Sequence, residues 1–185
     1  MANQPPLEGL LTGCRNNDRR SQKELYDRFY GYGLAVASPY CSHTDEAREV
    51  LNDAFLKVFA NIRNYDPERP FTTWLRTIVV RTAINRYHSR LREPGWCDLD
   101  EALFFQATGV DEDEILGRFS AEELLRLLQN LPPSYRLAIN LYAIEGYSHA
   151  EIADLLGISV GASKSNLFKA RARLRELMTQ PLHQY

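Results

Sequence analysis

Apolar residues recur at steps of three and four positions along most of the chain, which is the spacing of amphipathic α-helices. The clearest stripe consists of Leu167, Ala170, Leu174 and Leu177. No stretch of useful length alternates apolar and polar residues as a half-buried strand does, and the β-branched run at 78–80 lies inside a longer helical pattern. The pattern therefore predicts an all-α protein.

Capping signals divide this pattern into separate helices. A first short helix is predicted at 6–15. Thr44 is predicted to be the N-cap of another helix, and Thr72 or Thr73 to be the N-cap of a helix that runs to about position 90. Serine followed by glutamate three positions later forms a capping box, in which each side chain accepts a hydrogen bond from the other residue's backbone N–H. Such boxes are predicted at Ser21 with Glu24, Ser120 with Glu123 and Ser148 with Glu151.

The last two helices of the pattern are joined by only a few residues, as in a helix-turn-helix. Gly157 is predicted to end the first of them, since glycine accepts the positive φ of a helix C-terminus without steric cost. Pro133 fits the first turn of the helix before that pair. Residues 120–178 are thus predicted to form a four-helix unit whose last helix occupies the place of a recognition helix.

The charge of that last helix favours DNA as its partner. Five cations and one acid lie between positions 161 and 178, although the whole chain has a formal charge of −2, and local positive charge is typical of a phosphate-binding surface. Phe168 lies on the polar face, where it could touch a thymine methyl. The alternative is a solvated cationic face with Phe168 folded back onto a neighbour. The candidate DNA contacts are Lys164, Ser165, Phe168, Lys169, Arg171 and Arg175.

A second basic segment lies between positions 71 and 92, where five arginines occur with no acid. Arginines can follow a nucleic-acid backbone, and an exposed ring can stack on an unpaired base for about 1–3 kcal/mol, so this segment is predicted to separate or bind single strands. The alternative for Trp74 and the aliphatic residues is a place in the core. The candidate contacts from this composition are Tyr65, Trp74, Arg76, Arg81, Arg86 and His88.

Positions 93–123 reverse the charge, with ten acids and one base. Pro94 and Gly95 break the preceding helix, so the acidic stretch is predicted to be a flexible linker between two small helical domains. The predicted boundaries are 1–92 for the first domain, 93–119 for the linker and 120–185 for the second domain.

Composition limits the chemistry. The three cysteines are odd in number and widely spaced, which suits a reducing compartment, and Cys41 with His43 supplies at most half of a metal site. No stretch approaches the roughly 20 apolar residues of a membrane span, and the N-terminus lacks a signal-peptide pattern. No phosphate-cradling glycine loop or nucleophile–base set appears. We therefore expect a cytoplasmic protein that is not an enzyme and needs no metal or cofactor.

The helix after Thr44 has an outer face of mixed acidic and apolar character, which consists of Glu49, Asn52, Asp53 and Leu56. A plain solvent surface and a docking site for a partner helix both fit this strip. Spacing alone does not decide between the two.

Three motifs in a fixed order resemble one family. They are LYDRFY with DEAREVLNDAFLKVF, then FTTWLRTIVVRTAINRY, then LPPSYRLAINLYAIEGYSHAEIADLLGISVGASKSNLFKARARLREL. This set, which spans about Leu10 to Met178, resembles the bacterial RNA polymerase sigma factors of the sigma-70 family, in the short two-domain group called extracytoplasmic-function (ECF). A helix-turn-helix alone occurs in many regulators, whereas the ordered set points to this family.

The resemblance implies a role for each surface. Residues 45–62 are expected to bind the clamp helices of the polymerase largest subunit, residues 65–90 to melt the promoter and capture minus-ten bases, and the last helix to read the minus-thirty-five element. Arg81 stands where family members often have asparagine, which favours a phosphate contact there, while Asn85 fits the family's minus-ten helix. The implied polymerase contacts are Glu49, Asn52, Asp53 and Phe55.

Two other functions explain parts of the sequence. A stand-alone helix-turn-helix regulator leaves the basic segment at 71–92 unexplained. A sigma mimic that only binds an anti-sigma factor has no reason to keep the cations Lys164, Lys169 and Arg171. The sigma-factor interpretation accounts for all three motifs, and its expected partners are core RNA polymerase, promoter DNA and an anti-sigma factor, without membrane insertion.

Overall fold

A computed structural model describes residues 6–93 and 119–179, and all the regular elements in these two ranges are helical. The α-helices are α1 (Leu7–Arg15), α2 (Arg19–Ala37), α3 (Thr44–Asn61), α4 (Phe71–Leu91), α5 (Ala121–Gln129), α6 (Pro133–Ile139), α7 (His149–Leu156) and α8 (Val160–Thr179). The all-α prediction is confirmed. The acidic linker predicted at 93–119 falls almost wholly outside the described residues.

Contacts between the residues divide the chain into two compact units. Among the described residues, the first unit contains 6–38 and 43–86, and the second contains 39–42, 87–93 and 119–179. None of the helices in the described ranges combines the length and the apolar character that a membrane crossing requires.

The first unit is built on helices α1 to α3 and on α4 up to residue 86. Gly33 on α2 lets α2 approach α3 closely, because a Cβ at that position would lie 2.4 Å from Leu51 Cδ1. The core side chains that are fully enclosed include Leu25, Val50, Leu51, Phe55, Val58, Leu75 and Val79. Their burial from three different helices orients α3 and α4, which carry the two sets of predicted contacts in this unit.

Three helices of this unit begin at residues other than those predicted. The N-cap of α2 is Asp18, whose carboxylate accepts a 2.9 Å hydrogen bond from the Ser21 backbone N–H, so the capping box predicted at Ser21 is wrong. Hydrogen bonds from the Ser21 side chain and backbone lower the pKa of Asp18. The chain turns through Asn17, with φ of 58°, and α2 therefore starts before Ser21 is reached.

The starts of α3 and α4 differ by one or two positions. His43, in an extended conformation, caps α3 by accepting a 3.2 Å hydrogen bond from the Glu46 backbone N–H at Nδ1, which makes Thr44 the first helical residue. Helix α4 begins at Phe71, directly after Pro70, so the predicted threonine caps lie inside its first turn. The helices themselves are where the periodicity placed them.

In the second unit the predicted helix ends are confirmed. The backbone N–H of Ser120 donates to Glu123 at 2.8 Å, the backbone N–H of Ser148 donates to Glu151 at 2.8 Å, and both capping boxes are complete. Pro133 is the first residue of α6. Three residues of the α8 stripe, Ala170, Leu174 and Leu177, share a small core with Leu128, Leu131, Tyr135 and Ile139.

Candidate nucleic-acid interface

Helices α7 and α8 form a helix-turn-helix whose turn is held by local hydrogen bonds. Gly157 ends α7 in the left-handed conformation, with φ of 65°. Ser159 then caps α8, since its hydroxyl accepts a 3.0 Å hydrogen bond from the Ala162 backbone N–H. His149 Nδ1 lies 3.0 Å from the hydroxyl of the buried Ser163, which ties the first turn of α7 to the first turn of α8. These contacts fix the orientation of α8.

The outer face of α8 is open to solvent. Lys164, Ser165 and Arg171 are exposed, and 58% of Phe168 is exposed. The side chains of Leu167 and Ala170, on the opposite face, are buried. Phe168 is therefore not folded back into a core, and it stands beside a lysine, as a contact to a thymine methyl and its phosphate would require.

The other cations of α8 have contacts within the protein. Lys169 Nζ lies 5.9 Å from the centre of the Tyr135 ring, and Arg173 pairs with Glu176 at 2.5 Å. The Arg171 guanidinium lies 5.9 Å from the centre of the Tyr142 ring, close enough for a cation–π contact. Arg175 is half-buried. The open positive face is thus centred on the first half of α8.

On α4 the predicted contacts are placed unequally. Arg81 and Asn85 are exposed and four residues apart, so they share one helical face. Arg76 and His88 are half-buried. Trp74 is also half-buried, with its ring centre 5.2 Å from that of Tyr65 and 5.8 Å from that of Phe71.

The prediction that Tyr65 stacks on an unpaired base is contradicted. Only 6% of Tyr65 is exposed, and its ring packs edge-on against Phe71 at 5.4 Å between centres. Its hydroxyl donates a 2.6 Å hydrogen bond to the Arg69 carbonyl. Burial raises the pKa of Tyr65. The ring is drawn into the core because its apolar area is large and the loop supplies a partner for its hydroxyl.

Arg86 is engaged within the protein. Its Nη2 donates to Glu49 Oε2 on α3, and its Nε lies 3.7 Å from Glu46 Oε1. The nucleic-acid contact at Arg86 stays a prediction, and in this structure its guanidinium is engaged by α3. The partners of Arg86 are carboxylates of α3. The sequence of α4 contains no acids, so it could not reveal them.

The outer face of α3 is exposed as its spacing predicts. Glu49, Asn52 and Asp53 are exposed, and 67% of Leu56 is exposed. The Tyr26 hydroxyl donates to Asn52 Oδ1 at 2.8 Å. Leu56, which belongs to this strip by spacing alone, completes a surface that is apolar at one end and acidic at the other.

The expected polymerase contact at Phe55 is contradicted by burial. Phe55 is 1% exposed and packs edge-on against Tyr26, with 4.8 Å between ring centres. Its position four residues after Leu51 and three before Val58 places it on the inner stripe, so helical spacing could have identified it as a core residue.

The cysteines of the described residues are thiols. Cys14 and Cys41 are free and buried, and burial together with the nearby Asp18 raises the pKa of Cys14 to about 11. Residues 6–93 and 119–179 contain no group of three or more His, Cys, Asp or Glu side chains placed to hold a metal ion. Cys41 and His43 do not form part of such a group there.

Known proteins resemble both halves of the chain. Residues 25–93 match the model of Sigma-70 region 2, and residues 121–174 match the model of Sigma-70 region 4. The ECF RNA polymerase sigma-E factor of Haemophilus influenzae is 27% identical over 190 residues, covering 98% of this chain and 100% of the relative. The corresponding factor of Escherichia coli (strain K12) is 28% identical, covering 98% of each chain.

One solved structure has a similar fold. It is the sigma factor RpoE in complex with the anti-sigma factor NepR from Bartonella quintana, with 25% sequence identity, a TM-score of 0.50, and coverage of 84% of this chain and 95% of that chain. The region 2 match covers most of α2 and all of α3 and α4, and the region 4 match covers α5 to α7 and most of α8. The chain belongs to the sigma-70 family of RNA polymerase sigma factors, in its ECF group.

Proposed function

We propose that this protein binds core RNA polymerase and directs it to specific promoters, with α8 reading the upstream promoter element and α4 the minus-ten element. The observation that carries the proposal is the outer face of α8, on which Lys164, Ser165 and Phe168 are exposed to solvent. This helix belongs to a helix-turn-helix whose first helix is capped at both ends. A recognition helix needs a rigid base and a solvent-exposed cationic face, and both are present.

The minus-ten contacts we propose on α4 are fewer than composition indicated. Arg81 and Asn85 lead, because both are exposed on one face. His88 and Trp74 lie on the same helical face, are half-buried and can contribute to it, whereas the half-buried Arg76 lies about 140° around the helix from Arg81. Asn85 offers amide groups that can pair with a base edge, and Arg81 a guanidinium that suits a phosphate.

Polymerase binds, in this proposal, to the outer face of α3. Glu49, Asn52, Asp53 and Leu56 present carboxylates, an amide and an exposed apolar side chain along one helical face. Such a face suits a partner helix that carries cations beside an apolar residue. The first domain is assigned to residues 1–92 and the second to residues 120–185, joined by the acidic linker.

Regulation and location follow from the same function. The related RpoE was solved in complex with an anti-sigma factor, and we propose that a protein of that kind also binds this chain. A protein that acts with core polymerase on promoters works in the cytoplasm and needs no catalytic residues or cofactor of its own.

Run-off transcription with core polymerase and a library of promoter fragments tests the proposal. We expect the purified protein to start transcription from a specific subset of fragments and Lys164→Glu to lose most of that selection. Arg20→Glu is the matched control, since it makes the same charge change at an exposed position on α2. Failure of the native protein to bind core polymerase would contradict the proposal.

The same experiment separates the two alternatives. A stand-alone regulator binds one duplex sequence tightly without polymerase. A sigma mimic that only binds an anti-sigma factor keeps its full activity after charge reversal at Lys164 and starts no transcription. Either result would replace the sigma-factor function.

A further inference from the structure

Arg86 connects the two functional faces of the first unit. It lies on α4, yet its Nη2 donates to Glu49 Oε2 on α3, 37 positions earlier in the chain. Its Nε lies 3.7 Å from Oε1 of Glu46, which is also on α3. A guanidinium has five N–H donors in a fixed planar arrangement and can therefore serve two carboxylates at once.

The two carboxylates differ in exposure, and this difference defines their roles. The Glu46 side chain is 7% exposed, whereas that of Glu49 is 60% exposed. A buried carboxylate needs a compensating cation, because an unpaired buried charge is costly. The buried Glu46 forms an ion pair with the guanidinium at Nε, without a hydrogen bond to that nitrogen, and Nη2 is directed to the exposed Glu49.

Arg86 is not needed to keep α3 and α4 together. Lys57 Nζ on α3 donates a 3.0 Å hydrogen bond to Thr82 Oγ1 on α4, one helical turn before Arg86. Val58 on α3 and Leu75 and Val79 on α4 are fully buried in the core of the same unit. What the Arg86 link adds is a fixed position for the Glu49 carboxylate on an otherwise mobile, exposed side chain.

We infer that Arg86 is a positioning residue for polymerase binding, which acts by orienting Glu49, and that it does not contact promoter DNA. The polymerase group that Glu49 meets is a lysine or arginine side chain, since a fixed carboxylate selects a cation. This inference rests on the proposed function, in which the outer face of α3 binds polymerase.

A double-mutant cycle tests the inference. The dissociation constant for core polymerase is measured with fluorescently labelled protein for the native chain, Glu49→Gln, Arg86→Gln and the double variant. Each single change is expected to raise the constant by about 3- to 30-fold. The double variant is expected to match Glu49→Gln, because Arg86 has nothing left to orient.

Thermal unfolding separates positioning from a purely structural role. Arg86→Gln is expected to lower Tm in both backgrounds, because the buried Glu46 loses the ion pair with Arg86 in each. Arg86→Lys is the second variant, since it keeps a cation for Glu46 but cannot hold two carboxylates in one plane. It is expected to retain more of the native Tm and still weaken polymerase binding.

Arg81→Gln is the matched control on the same helix. It removes the same charge from an exposed position and is expected to reduce promoter opening at saturating polymerase, with an unchanged polymerase dissociation constant. The inference is overturned if Arg86→Gln shows that same pattern, or if it weakens polymerase binding equally with and without Glu49. Absence of polymerase binding by the native chain would overturn the proposed function as well.

Discussion

Helices α8 and α4 have similar compositions but different surfaces. Both carry cations that outnumber the acids of the same segment, together with aromatic residues. On α8, Lys164 and Phe168 are exposed, whereas on α4 the cation Arg86 is held by carboxylates and Trp74 packs on Tyr65. Basic and aromatic composition therefore identifies a region that can meet nucleic acid, but it does not identify the side chains that reach it.

The fraction of each helix that is buried explains the difference. Helix α4 buries residues at 71, 75, 79–80 and 82–84, and at about 100° per residue these positions cover more than half of its circumference. On α8 the buried residues are Ser163, Leu167 and Ala170, which cover a narrow arc. A helix enclosed on most sides places more of its cations next to other elements, where carboxylates can pair with them.

The largest expected effect contrasts two phenylalanines. Phe55→Ala should lower the free energy of unfolding by about 3–5 kcal/mol, because it opens a cavity among buried side chains. Phe168→Ala should change it by less than about 0.5 kcal/mol while weakening binding of the upstream promoter element. Urea unfolding and promoter binding, measured on both variants, check the pair, and similar stability losses would remove the contrast between core and surface.

A smaller effect is expected at the open face of α8. Lys164→Glu should weaken upstream-element binding by holoenzyme by about 1–3 kcal/mol if a base contact is lost, with little change in stability. Titrations at several salt concentrations, with Arg20→Glu as the control of equal charge, measure it. An equal loss in the control would mean that net charge, rather than the α8 face, determines binding.

A still smaller effect on stability is expected from a change in the aromatic cluster of Tyr65, Phe71 and Trp74. Tyr65→Phe removes the hydrogen bond to the Arg69 carbonyl and should lower the free energy of unfolding by about 0.5–1.5 kcal/mol. Promoter opening at saturating polymerase, followed by permanganate reactivity of unpaired thymines, should not change. A strong defect in opening with native stability would instead place Tyr65 on the nucleic acid.

The smallest effect is a pH dependence of the helix-turn-helix. Hydrogen bonds from Ser148 lower the pKa of Glu151 below its ordinary 4.5. A lowered folded-state pKa adds stability that is present above about 4.5 and is lost as pH falls through the folded-state value. Glu151→Gln should therefore flatten the acid side of the stability–pH curve, and Glu122→Gln, an exposed glutamate outside the capping box, is the control.

Local sequence signals predicted where the helices lie more accurately than they predicted the residue at which each helix begins. The boxes at Ser120 and Ser148 and the end at Gly157 were predictable because each depends on residues within about four positions. At Asp18 and His43 several neighbouring polar residues could act as the cap, and the path of the preceding chain selected one. The burial of Phe55 could be predicted from the helical spacing of apolar residues on α3. The burial of Tyr65 depends on tertiary packing against Phe71 and Trp74.

The sequence by itself determined the helices, the helix-turn-helix and the family, because hydrophobic period and capping act over a few residues and the three motifs occur in one order. Only the tertiary structure decided which cationic and aromatic side chains are exposed to solvent. Arg86 and Glu49 are 37 positions apart, and no local pattern relates them. Exposure and ion pairing depend on which segments the core brings together, so the usable surface of each helix is a property of the packed protein.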